Sequence, residues 1–161
     1  MPSMEHPYQA VVGELLAGLD VVLDHISICV RDLDAAGRAW AALLGCEQVD
    51  RQDVVAQKTR VVFLRPAAGP HTSAIELISP MAGNAGLEKF LEQRGDAIHH
   101  IAFAVSDLHA ALARLQAANI RLIDQAPRPG ACGHTVAFLH PKVMNGTLIE
   151  LVQHGPTHTP R

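Results

Sequence analysis

Ten histidines stand in this chain of 161 residues, and the positions of two of them repeat. His25 lies in the segment LDHISICVRDL, and His100 lies in IHHIAFAVSDL. Laid over one another at a shift of 75 residues, the segments agree at five of eleven positions. The same shift sets Val61-Val62-Phe63-Leu64-Arg65-Pro66 over Val136-Ala137-Phe138-Leu139-His140-Pro141, and a shift one residue smaller sets Ile75-Glu76-Leu77 over Ile149-Glu150-Leu151. The repeat therefore matches imidazole with imidazole and carboxylate with carboxylate. A glutamate among large apolar residues, as in SAIELISP and TLIELVQ, is costly to bury unless it meets a cation or a matched partner. Two imidazoles and two carboxylates suit a first-row divalent ion, with positions left open for water or substrate. A single strand histidine is usually a hydrogen-bonded structural residue, and a single strand glutamate usually sits at an exposed edge. Recurrence of both at matched places decides for a metal site over a purely structural role.

The elements that must carry these residues follow from the pattern. LDHISICV and IHHIAFAV are β-branched runs bounded by polar residues, which predicts strands. Asp32 and Asp107 follow as candidate N-caps. LDAAGRAWAALL and LHAALARLQAA carry apolar residues at helical spacing and end near Gly45 and Asn119. Three more strands are expected in each copy, around 47–49, 59–64 and 74–78, then 121–123, 135–139 and 147–152, separated by Gly- and Pro-rich turns. The fold class is α+β, built from two tandem βαβββ modules over residues 21–80 and 96–153. A helical linker spans 81–95, an amphipathic helical extension covers 1–20, and 154–161 form a flexible tail. Strand alternation puts His25 on one face with Ser27 and Cys29, and His100 with Ala102 and Ala104. Those small neighbours suit a face that encloses something. Alternation points His99 the other way and makes it the weaker candidate. His6, His71, His109, His134, His140, His154 and His158 read as surface or loop residues.

Composition narrows the partners. The chain is 48% hydrophobic and 18% charged with a formal net charge of -3, so it folds around a core and offers no basic footprint for nucleic acid or an anionic membrane. No apolar run approaches the ~20 residues that span a bilayer. The N-terminus has no basic region ahead of its apolar stretch, so no secretory signal is expected. Cys29, Cys46 and Cys132 form no CxxC pair, which suits a reducing cytoplasm.

The segments LDHISICV, GDAIHHIAFAV, IRLIDQAPRPGACG, FLHPK and NGTLIELVQ resemble the vicinal-oxygen-chelate superfamily, and within it the methylmalonyl-CoA epimerases, from about residue 23 to 153. The resemblance implies a glyoxalase-like half-open barrel of mixed sheet. It implies one divalent ion (cobalt, nickel, manganese, zinc or magnesium) held by His25, Glu76, His100 and Glu150, with Glu150 as a catalytic base. It further implies an acyl-CoA thioester substrate and a homodimer. The chain departs from the pattern at Val61, where some members carry a second glutamate. Gln57 nearby cannot replace that base, which leaves Glu76 or a water for the second face. Lys58, Arg60, Arg128 and Lys142 are candidate contacts for coenzyme A phosphates. A glyoxalase I-type lactoylglutathione lyase would use the same four donors, and a ligand-sequestering protein of this fold would lack them. A ring-cleaving dioxygenase needs two His and one carboxylate on iron; a fourth donor and few aromatics (one Trp, one Tyr, four Phe) argue against it.

Overall fold

The structure, a computed structural model, describes residues 15–46, 48–66 and 73–155. His6, His71 and His158 lie outside them, as do most of the expected N-terminal helix and C-terminal tail. The described end of that extension, residues 15–20, forms turns rather than a helix. Leu19 is buried against the second half of the chain, its carbonyl accepting from Ser106 N at 2.9 Å.

Each half of the chain presents the same element order. The first runs β1 (Val22–Cys29), α1 (Leu33–Leu44), β2 (Gln48–Val54), β3 (Thr59–Leu64) and β4 (Ala74–Pro80). After α2 (Ala85–Arg94) come β5 (Ala97–Ala104), α3 (Leu108–Ala117), β6 (Arg128–Pro129), β7 (Thr135–Leu139) and β8 (Ile149–Gln153). The caps follow from residue type. Asp32 accepts from Ala35 N and Asp107 from Ala110 N, each at 2.9 Å. Gly45 closes α1 at φ 61°, in the left-handed region that glycine enters without strain.

All eight strands form one mixed sheet in the order β2-β3-β4-β1-β5-β8-β7-β6. The first-half strand β1 pairs parallel with β4, and β5 pairs parallel with β8. The halves meet where β1 and β5 run antiparallel, at the centre of the order. The sheet curls into the half-open barrel, with α1 and α3 on its outer face. Leu33 and Trp40 of α1 pack there on Val62, Leu64 and Leu77, and Leu108, Leu112 and Leu115 of α3 pack on Leu139, Ile149 and Leu151.

Two expected strands differ. The first-half strand expected at 47–49 extends to Val54 in a ladder with β3. The strand expected at 121–123 shrinks to an isolated bridge between Leu122 and Leu139, and its place at the sheet edge passes to β6. Pro127 and Pro129 have no N–H to give a ladder, so this edge stays short.

Leu77 is fully buried under α1. Leu77→Ala is expected to cost roughly 2–5 kcal/mol of stability, read as a lower urea midpoint; an unshifted midpoint would show that α1 does not depend on this contact.

Candidate active site

The inner face of the curled sheet carries the chemistry. Register sets Ser27 beside Glu76 on one side and beside His100 on the other, while Ala102 lies between His25 and Glu150. Small side chains at Ser27 and Ala102, both fully buried, leave room for the four polar groups to lean together. His25, Glu76, His100 and Glu150 are each 4–7% exposed. His25 Nε2 lies 3.4 Å from His100 Nε2. Glu150 Oε2 is 3.2 Å from His25 Nε2 and 2.9 Å from His100 Nε2. Glu76 Oε2 lies 3.4 and 3.6 Å from the same two nitrogens, and no donor hydrogen-bonds it there. All four side chains line one cavity of about 280 Å³. The repeat extends to its walls: Phe63 stands edge-on to His25 at 5.5 Å, and Phe138 edge-on to His100 at 5.3 Å.

Burial alone would discharge His25 and Glu150, yet their neighbours keep both charged. Burial opposes a proton on His25, but contacts with Asp24, Glu150 and Glu76 outweigh it and lift its pKa to about 12. Burial would raise Glu150; the imidazoles of His100 and His25 instead lower it to about 2.

His99 is a correction. Its side chain does not point to the helix-packed face; it lines the cavity, and its Nδ1 meets His100 Nδ1 at 2.9 Å. Asp24 does the same for His25, with Oδ2 2.6 Å from Nδ1. Both belong to bulges in the β1–β5 ladder. Pairing passes from Leu23↔Phe103 to His25↔Ala102, leaving Asp24 as the extra residue, and from Ser27↔His100 to Ile28↔Ile98, leaving His99. Burial, then the neighbouring His100, lowers the His99 pKa to about 4.

Two further histidines are not plain surface residues. His154 Nε2 lies 2.6 Å from Asp24 Oδ1, and its ring stacks on the buried His134 at 4.4 Å. His109 is exposed as expected, and His140 caps a short turn by accepting from Lys142 N at 3.1 Å. Of the four candidate cations only Arg128 lines the cavity, lying over Phe138 and 3.1 Å from Asp124 Oδ1. Lys58 turns to Gly83 O and Arg60 to Asp53. Arg65, which the sequence did not single out, also lines the cavity. Val61 and Gln57 line it too, and Gln57 donates to Pro129 O at 2.8 Å.

A curled mixed sheet with a buried histidine–glutamate cluster on its concave face defines a class. The family description Glyoxalase/Bleomycin resistance protein/Dioxygenase superfamily matches residues 24–138, and the chain belongs to that superfamily. It is 39% identical over 133 residues to the ethylmalonyl-CoA/methylmalonyl-CoA epimerase of Cereibacter sphaeroides, covering 81% of this chain and 96% of that protein. It is similar to the methylmalonyl-CoA epimerase of Mycobacterium tuberculosis, with TM-score 0.78 and 35% identity over 83% of this chain and 88% of the other. A Streptomyces coelicolor methylmalonyl-CoA epimerase in complex with 2-nitronate-propionyl-CoA matches with TM-score 0.78 and 31% identity, covering 86% and 98% of the respective chains. The resemblance drawn from the sequence is borne out.

The depressed Glu150 pKa stabilises the fold above the ordinary value of 4.5, and that contribution is lost as pH falls towards 2. Chelator-treated wild type is therefore expected to lose stability more steeply across this window than Glu150→Gln, by urea unfolding at each pH. Parallel curves would mean the carboxylate is not held ionised by its neighbours.

Proposed function

We propose that the protein inverts the α-carbon of an acyl-CoA thioester of the methylmalonyl kind, with a divalent ion held by His25, Glu76, His100 and Glu150. One observation carries the reading: ligand atoms of His25, His100 and Glu150 lie within 4.8 Å of one another, and Glu76 Oε2 is buried 3.4 and 3.6 Å from the two imidazoles with no hydrogen-bond donor. A dication held by these donors would balance two buried carboxylates. Mixed nitrogen and oxygen donors suit cobalt, nickel, manganese or zinc better than magnesium, which favours oxygen.

When bound, the ion supplies a Lewis acid that makes the proton α to a thioester carbonyl easier to remove. Glu150, ionised among its imidazole neighbours, takes that proton from one face of the carbon. Glu76 is related to Glu150 by the repeat and stands on the opposite side of the β1–β5 seam, where, loaded with a proton from solvent before turnover, it would protonate the other face while Glu150 gives its proton back to solvent. Val61 offers only hydrocarbon to the cavity, and Asp24 is engaged by two imidazoles. Phe63 and Phe138 exclude water, which strengthens each charge interaction within. Acyl-CoA epimerase relatives, one bound to 2-nitronate-propionyl-CoA, support this substrate class. A cytoplasmic homodimer completes the reading. Three free cysteines are consistent with a cytoplasmic location, and the dimer rests on the family resemblance.

Exchange of the α-proton of methylmalonyl-CoA in deuterated water tests the roles. Glu150→Gln is expected to slow exchange by about 10²–10⁴-fold. Glu76→Gln is expected to keep exchange from one epimer while epimerisation is lost. Undiminished exchange in Glu150→Gln would remove it as the base, and activity confined to the methylglyoxal–glutathione adduct would make the protein a lactoylglutathione lyase. Metal binding has its own signature. Because His25 is protonated without metal, adding cobalt to chelator-treated protein near pH 7 is expected to release about one proton per ion. A calorimetric titration in buffers of different ionisation enthalpy counts it, and absence of binding would overturn the metal site.

A further inference from the structure

The two imidazoles at the centre of the cavity are each gripped from behind by the residue that precedes them. In the first half that residue is an acid, Asp24; at the repeat-equivalent place in the second half it is His99. Neither contact is available to a regular strand, whose neighbouring side chains point to opposite faces. The sheet spends two bulges in its central ladder to bring them round. Asp24 is in turn fixed from its far side. Its Oδ1 receives His154 Nε2 at 2.6 Å, so each carboxylate oxygen holds one imidazole. His154 is kept in place by stacking on His134, whose Nδ1 accepts from Gly155 N at 3.1 Å.

An imidazole offers a lone pair from one nitrogen only when its proton resides on the other, and the hydrogen bond behind the ring selects which. With Nδ1 bonded to the preceding residue in both halves, the nitrogen directed into the cavity is Nε2 in both. We propose that Asp24 and His99 are positioning residues that lock His25 and His100 in the Nδ1–H form, with His154 anchoring Asp24. The inference rests on the metal site described under the proposed function. It adds an asymmetry to a duplicated site: a carboxylate backs His25, whereas an imidazole backs His100. It also explains the burial of Asp24 beside the donor cluster. Both of its oxygens are engaged, so it does not compete for the ion.

The test uses the full chain, with cobalt as the titrated ion and zinc for nuclear magnetic resonance. Nitrogen-15 spectra of the zinc-loaded protein are expected to show His25 and His100 protonated at Nδ1 and not at Nε2. Asp24→Asn and His99→Leu are each expected to weaken cobalt binding by about 10–100-fold and to alter the visible bands of the bound ion. His154→Ala is expected to weaken it less, and His154→Gln, whose amide still donates to Asp24, to restore it. Rescue by glutamine separates positioning from folding. Wild-type affinity and spectrum in Asp24→Asn and His99→Leu, or Nε2–H tautomers, would overturn the inference while leaving the metal site intact. A wild-type protein that binds no cobalt would instead overturn the metal site on which the inference rests.

Discussion

Two carboxylates buried at the seam between β1 and β5 are the constraint around which the rest is arranged. Each would be driven to neutrality by desolvation if it stood alone. Two imidazoles occupy the same few ångströms and supply the opposite charge that holds Glu150 ionised. That arrangement dictates its surroundings. The strand faces around it must be small, hence Ser27 and Ala102. The bulky core must be moved to the outside, where α1 and α3 cover Leu77 and Leu151. The walls must be apolar without being reactive, hence Phe63 and Phe138. A dication at the proposed site would compete with protons for the same groups, so its binding would depend on pH.

Much of this was legible in the residues. The repeat gave the order β-α-β-β-β in both halves because each strand and helix carries its own periodicity and cap. It also paired His25 with His100 and Glu76 with Glu150; the sheet sets the two imidazoles 3.4 Å apart and places each carboxylate beside them. What escaped was set by pairing between strands, not by any one strand. A bulge depends on the partner's register, so nothing within IHHIAFAV betrays that His99 turns inward. For the same reason Asp24, lying within the strand segment LDHISICV, was not recognised as the group behind His25. The strand expected at 121–123 failed because Leu122 turns into the α3 core while Ile123 is left exposed, and the sheet edge is set further on by a proline pair. His154 sits beyond the last strand, where sequence offers no periodicity to place it.

Duplication explains the symmetry of the site, and divergence explains its use. The donors themselves match across the halves. The residues behind and around them do not: aspartate against histidine at 24 and 99, arginine against histidine at 65 and 140. A symmetric cage would treat the two faces of a substrate alike. Here the surroundings differ from side to side, which gives a small chiral molecule one preferred way to lie across the seam.

The free edges of the sheet are tied by side chains instead of a ladder. Gln57 reaches Pro129 O, and Gln52 Oε1 receives Cys132 N, each at 2.8 Å. These two amide latches span the slot that strand pairing would have sealed in a closed cylinder. Releasing them breaks no strand ladder, so the aperture can widen around a long, flexible guest while the floor holding the reactive groups stays fixed.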